Sequence, residues 1–327
     1  MNSHRWLPAM IAILVVVGVV VAVAMLRHND ARPLRIVRLA IATQPLSAGI
    51  CLADMRDSYR AHGLDVRIQS YGTGKEALDA VIAGEADLAT AAQTPLMHAL
   101  IAGEHLSAWA VIGEARKTQR IIARADRGIR KPADIASKTM AAPHGTSAQI
   151  FALNYLDYHG VDLATVTLVD GAPDALAGML TSGQVDAVCV WDPYAAQAER
   201  ALGDAVVLTQ DSLYQFGWIL VGRPEFAATG SVDGILAALD SVYPDLLTLD
   251  EAERAELARR CGSPPDELAV AFATHHYRIE LDASLAMLLE REAQRLYPDR
   301  WADLDFASVL DAGPLRRVAA SAVAVDW

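Results

Sequence analysis

From Arg35 onward the chain alternates between two hydrophobic periods. RIVRLAIA (35–42) and LDVRIQSY (64–71) are β-branched runs that predict strands, and SAGICLADMRDSYRAHG (47–63) between them has helical spacing ending at Gly63. A helix over KEALDAVIAG (75–84) and a strand over ADLATAA (86–92) follow. A second set has the same order: strand TMAAP (139–143), helix AQIFALNYLDYHG (148–160), strand TVTLVD (165–170), helix DALAGMLTSG (174–183) and strand VDAVCVW (185–191). Such alternation predicts an α/β protein with mostly parallel strands.

The two sets align residue by residue. EALDAVIAGEADLATAAQTP (76–95) sits over DALAGMLTSGQVDAVCVWDP (174–193) with a one-residue slip, matching a helix, a Gly, an Asp, an apolar strand and a Pro. Two similar α/β lobes are expected, with Asp87 and Asp186 as turn residues at the strand starts rather than catalytic carboxylates. From about Asp233 the pattern becomes helical: ILAALDSVYPDLL, DEAERAELARRC, DELAVAFATHHYRI and SLAMLLEREAQRLY carry apolar stripes whose expected role is packing. Trp301 and Trp327 read as ordinary surface or core aromatics.

Composition narrows the class. With 327 residues, 53% hydrophobic, the chain is long enough for two cored lobes, and its formal charge of -12 argues against a nucleic-acid partner. A small anion remains compatible, because helix-start N–H groups hold anions without Lys or Arg. Cys51, Cys189 and Cys261 are few, separated and odd in number, so they predict buried thiols rather than disulfides or a zinc site. Residues 6–26 carry no charge and suit a membrane-spanning helix. Ala22-Val23-Ala24 has the form of an export-signal cleavage site, so both readings stay open, with an uncleaved inner-membrane anchor preferred. Arg27, Arg32, Arg35 and Arg38 follow the segment, although positive charge usually stays cytoplasmic.

Candidate chemistry gathers at strand-to-helix turns. Thr73-Gly74-Lys75-Glu76 and Thr146-Ser147-Ala148-Gln149 fit capping boxes, and Thr94-Pro95 makes a third helix start. Asp192-Pro193 reads as N-cap and first helical residue or, alternatively, as a ligand-facing carboxylate; Trp191 and Tyr194 are equally pocket walls or packing. His144 is a loop residue able to donate to an anion, His275 and His276 read as exposed, and Lys75 opposes the helix dipole at a helix start. No G-x-S-x-G, P-loop, H-E-x-x-H or G-x-G-x-x-G motif occurs.

Gly84-Glu85-Ala86-Asp87-Leu88-Ala89, Lys131-Pro132-Ala133-Asp134-Ile135 before TMAAP, His144-Gly145-Thr146-Ser147, and Val185-Asp186-Ala187 leading into Trp191-Asp192-Pro193-Tyr194 together resemble the nitrate/sulfonate/taurine-type substrate-binding proteins of ABC importers, over about residues 35–221. The resemblance implies a type II periplasmic-binding-protein fold: two α/β lobes with a hinge and a helical C-terminal extension. It places an N-terminal segment at 1–34, first-lobe residues at 35–124 and 216–327, and second-lobe residues at 125–215. Crossovers would fall near Ala123–Arg127 and Leu213–Trp218. The implied pocket uses Gln44 and Ser47, Gly72, Thr73 and Gly74, Thr90, Gln93 and Thr94, Gly145, Thr146 and Ser147, and Trp191 with Asp192. Hydroxyls and backbone donors would hold an oxyanion, with Trp191 facing its organic part; an alkanesulfonate or taurine-like solute is preferred. No catalytic residue, metal or cofactor is implied. The expected partners are the anionic solute, a permease and an ATPase, and the expected location is periplasmic, with a possible inner-membrane anchor. Two other readings carry the same fold: a membrane-tethered sensory module, and an enzyme like the thiamine-pyrimidine synthases, whose cysteine-rich motif is absent around the solitary Cys189.

Overall fold

The first set of predicted strands becomes β1 (Arg35–Ala42), β2 (Leu64–Tyr71) and β3 (Leu88–Ala92), with β1 parallel to both others. A computed structural model describes residues 33–208 and 214–325. The apolar segment 6–26 and Trp327 therefore lie outside the described residues. Among the described residues no helix is long and apolar enough to cross a membrane.

Between β1 and β2 the expected single helix is two, α1 (Ala48–Met55) and α2 (Ser58–Ala61), after a 3-10 turn at Pro45–Ser47. Asp57 breaks it with φ 53°, a left-handed turn that Asp tolerates better than most residues. Helix α3 (Gly74–Ile82) joins β2 to β3, and α4 (Gln93–Ala102) leads to β4 (Ser107–Arg116). The chain then enters a second sheet through β5 (Gln119–Arg124), β6 (Thr139–Ala142), α5 (Ser147–Tyr158), β7 (Thr167–Asp170), α6 (Leu176–Thr181), β8 (Ala187–Trp191), α7 (Tyr194–Leu202) and β9 (Ala205–Val207). It returns to the first sheet as β10 (Gln215–Gly222) and ends in helices α8 (Ser231–Leu246), α9 (Glu251–Cys261), α10 (Pro265–Thr274), α11 (Ser284–Leu296) and α12 (Gly313–Val318).

The sheets run β2-β1-β3-β10-β4 and β7-β6-β8-β5-β9. In each, three parallel strands are followed by an antiparallel one, β10 in the first and β5 in the second, and then by a last strand antiparallel to it. The crossover expected near Ala123–Arg127 instead falls at Lys117 and Thr118, because β5 already pairs with β8 from Gln119 to Ala123. The return falls between Val207 and Gln215, and Leu213 lies outside the described residues.

The internal likeness has a physical counterpart. Asp87 accepts the Arg38 backbone N–H at 2.8 Å while its own N–H bonds the Arg38 carbonyl; Asp186 accepts the Thr139 N–H at 3.0 Å while its own N–H bonds the Thr139 carbonyl. Each Asp fastens the corner before the third strand to the first, which uses the carboxylate structurally. Arg38 adds side-chain hydrogen bonds to Asp87, at 3.1 Å from Nε and 2.5 Å from Nη2.

Burial follows the pattern. All five residues of β3 are buried, as a central parallel strand covered on both faces requires. One core joins the first sheet to the C-terminal helices and much of α5, and a smaller one lies between the second sheet, α6 and α7.

Candidate functional site

In parallel α/β layers, helix starts gather at the carboxyl ends of the strands, where their first N–H groups have no intrahelical partner. Here those ends, from both sheets, line one cleft of about 910 Å³. The first lobe contributes the turns after β1, β2 and β3, and the second contributes the start of α5 and the end of β8. The starts of α3 and α5 thus reach the same space from opposite lobes.

Local sequence sets each start differently. At α3 the capping box is complete: Thr73 Oγ1 accepts the Glu76 N–H at 3.1 Å, and Glu76 Oε2 accepts the Thr73 N–H at 3.0 Å. The N–H groups of Gly74 and Lys75 fall in the helix's unpaired first turn. At α5 the box is altered. Thr146 Oγ1 accepts the Ala148 N–H at 3.3 Å, but Gln149 Oε1 reaches the Gly145 N–H at 2.9 Å instead of closing on Thr146. Gly145 has φ 73°, and a Cβ there would lie 3.3 Å from Lys75 Cε, so glycine serves both the turn and the close approach of the lobes. Ser147 Oγ accepts from Gln119 Nε2 at 2.9 Å, which leaves its proton to donate elsewhere.

Of the residues named from the sequence, Gln44, Gly72, Thr73, Gly74, Thr146, Ser147, Trp191 and Asp192 line the cleft. The other five do not line it. Ser47 donates its hydroxyl to the Ala42 carbonyl at 2.8 Å, and Thr90 is fully buried within β3. Thr94-Pro95 reads from the sequence as a helix start with Pro95 first, but α4 begins two residues earlier, at Gln93, with Ala92 as its N-cap and Pro95 inside the first turn. That turns Gln93 Nε2 to the Tyr214 hydroxyl at 2.9 Å and Thr94 Oγ1 to the same hydroxyl at 3.1 Å. Gly145 lies against Lys75 and His98 rather than on the cleft wall.

Asp192 is engaged by the protein. Its Oδ1 accepts the Ala196 N–H at 3.1 Å and Arg120 Nη1 at 3.2 Å, so it caps α7 from one position before Pro193, to which it is joined by a cis peptide. Arg120 also pairs with Glu199. Trp191 is half-buried and meets Tyr194 edge-on at 6.2 Å, with Trp191 on the cleft wall. Phe216 and Trp218 of β10 complete an aromatic side. Gln119 Oε1 and Trp218 Nε1 are buried at the cleft without hydrogen-bond partners among the described residues.

Sequence reasoning missed one wall altogether. The α10 segment, expected only to pack, sets Glu267, Val270, Ala271 and Thr274 along the cleft, with His275 at its end. Burial lowers the His275 imidazole to about 4, so it is neutral at neutral pH and only half-exposed rather than free on the surface. Burial pushes the Glu267 carboxyl up, the charge of Asp192 adds to this, and Arg200 opposes it. Lys75, whose charge the α3 dipole disfavours, pairs with Asp79 at 2.6 Å. Cys51, Cys189 and Cys261 are free and buried, and burial pushes the Cys189 thiol up. Among the described residues no group of His, Cys, Asp or Glu is arranged to hold a metal ion.

The family described as NMT1/THI5 like matches residues 44–221. The chain is similar to a putative aliphatic sulfonates-binding protein of Escherichia coli K12, at 26% identity over 271 residues, covering 80% of this chain and 84% of that one. Its fold matches the alkanesulfonate-binding protein SsuA of Xanthomonas axonopodis pv. citri bound to MOPS, with a TM-score of 0.69 at 22% identity, covering 86% of this chain and 99% of that one. The periplasmic nitrate-binding protein NrtA of Synechocystis PCC 6803 matches with a TM-score of 0.68 at 12% identity, covering 89% of this chain and 90% of that one. These neighbours establish the type II periplasmic-binding-protein fold.

Proposed function

The chain belongs to the NMT1/THI5-like family, and on that premise we propose that it is a solute-binding component of an ABC importer, not an enzyme, working outside the cytoplasm. Its solute is a small organic anion of the alkanesulfonate or taurine type. One observation carries this reading: two helix starts from different lobes, α3 and α5, face a shared cleft with aromatic rings beside them. Unpaired N–H groups near Gly74 and Ser147, with the Ser147 hydroxyl, suit the three oxygens of a sulfonate, and helix dipoles favour its charge. Trp191, Phe216 and Trp218 suit the organic part. Domain closure about the two crossovers would bring both helix starts onto one anion and expose the closed form to the permease.

Glu267, Asp266 and Asp192 stand at the cleft as well. Their negative charge disfavours a solute bearing a second anionic group and suits a neutral or amine-bearing tail. A thermal-shift series on the full-length protein with alkanesulfonates, taurine, nitrate and bicarbonate tests the reading. Ligand at about 100 times its Kd adds about 2.7 kcal/mol, a rise of several degrees in melting temperature. A rise with sulfonates alone supports the assignment; a rise only with nitrate or bicarbonate replaces the solute class, and no rise with any removes the transport reading.

A further inference from the structure

A second cavity, of about 600 Å³, is lined by α5 of the second lobe, α11 of the first, the end of β4 at Arg116 and the start of β10 at Gln215. Glu292 of α11 lines it, although only 4% exposed. Its Oε1 accepts from Gln93 Nε2 at 3.0 Å and the Tyr214 hydroxyl at 2.8 Å, while Oε2 is buried without a partner. Burial pushes this carboxyl up to about 7, opposed by the polar groups of Thr94, Tyr214 and Gln93 and by the charge of Arg291. With Oε1 already filled by two donors, the proton of the neutral acid resides on Oε2. That O–H has no acceptor among the described residues.

Other donors on the same cavity are in the same position. Arg295 uses its terminal nitrogens on Asp157 at 3.2 Å and on the Leu153 carbonyl at 3.0 Å, spanning the two lobes, and leaves its buried Nε without an acceptor. Arg116 and Arg291 line the cavity and form no salt bridge among the described residues. Donors without acceptors, and guanidinium groups without carboxylates, are complementary to an oxyanion.

We propose that this rear cavity is a second binding site, distinct from the front cleft, which takes a small oxyanion between Arg116, Arg291, Arg295 and the Glu292 carboxyl. The charged groups that line the cavity with Glu292 are Arg291 and Arg295 on its own helix, Arg116 at the end of β4 and Asp157 on α5; α4 brings Gln93 and Thr94 and, one turn further on, the His98 ring bonded to Tyr297. Loss of the Glu292 proton turns a donor into a repelling charge, so the site weakens as pH rises through neutrality. Arg116 also lines the front cleft, so occupation of one cavity engages a charge the other shares.

Sulfate is the probe, titrated calorimetrically into the full-length protein at constant ionic strength set with chloride. One sulfate is expected to bind, with affinity falling about tenfold per pH unit above neutrality. Arg291→Ala should weaken it more than tenfold, and Glu292→Gln, which keeps the shape and a donor, should retain binding without the pH dependence. Ser147→Ala, in the front cleft, should leave it unchanged. Absence of sulfate binding, pH-independent binding to the unmodified protein, or binding lost in Ser147→Ala but kept in Arg291→Ala would each overturn the proposal. The last result would place the ion in the front cleft, leaving the function proposed for that cleft intact.

Discussion

Gly74 begins α3 at the cleft, and a Cβ added there would lie 2.7 Å from Trp218 Cη2 and 3.1 Å from Ala91 Cα. Carbon atoms in comfortable contact are about 3.5–4.0 Å apart, so Gly74→Ala leaves a shortfall of about 1 Å that the ring or the helix start must absorb. Overpacking of this kind costs about 1–3 kcal/mol, while alanine's better helix propensity returns up to about 1 kcal/mol. A net loss of about 1–2 kcal/mol lowers the melting temperature by a few degrees. The displaced helix start also mispositions its free N–H groups, for an expected tenfold loss of sulfonate affinity, about 1.4 kcal/mol. Trp218→Phe removes the ring carbons nearest the new methyl, so in that background Gly74→Ala should cost less than half as much. Denaturation and calorimetry on the four proteins of this cycle measure the coupling. Equal costs in both backgrounds, or no cost in either, would refute the packing argument.

Trp191→Ala should weaken ligand binding at least about tenfold with little change in melting temperature, since the ring is only half-buried; unchanged affinity would remove it from the site. Asp192→Asn should leave affinity within about twofold and cost less than about 1 kcal/mol of stability, because Asp192 caps α7 and Arg120 keeps Glu199. The Glu292 carboxyl is raised by burial to about 7, so the folded protein binds more protons than the unfolded chain between its ordinary range and about pH 7. This acid therefore disfavours the folded state progressively as pH rises through that window, and Glu292→Gln should gain stability relative to the unmodified protein at pH 8 but not at pH 4; urea melts at the two pH values decide it. The three buried thiols should resist a water-soluble thiol reagent in the folded protein and react only in denaturant.

The parallel strands of both lobes were legible because each is a short apolar run fixed by its own residues, and β2, β3, β7 and β8 each follow a helix that ends near Gly63, Gly84, Gly160 or Gly183, which all adopt positive φ. Strands β4, β5, β9 and β10 were not, since their place depends on antiparallel partners far along the chain: Trp218 pairs with both Ala92 and Gly113. The same limit applied to the site. Thr73, Thr146 and Trp191 sit at turns written locally, and the cleft contains them. Gln93 and Thr94 fall otherwise because α4 starts at Gln93, two residues before the Pro95 expected to begin it, which turns them toward Tyr214. The α10 stripe looks like any packing face until tertiary structure sets it against the cleft.

The order of strands also dictates an order of completion. Among the described residues β10 alone joins β3 to β4, so the first sheet stays open in its middle until residue 222 is available. Among the described residues the last strand of the second sheet, β9, ends at residue 207. During synthesis, the lobe that begins later can close first, while β3 and β4 wait with exposed edges that invite association between chains. A nascent chain stopped between those two points is therefore the form of this protein most in need of a chaperone.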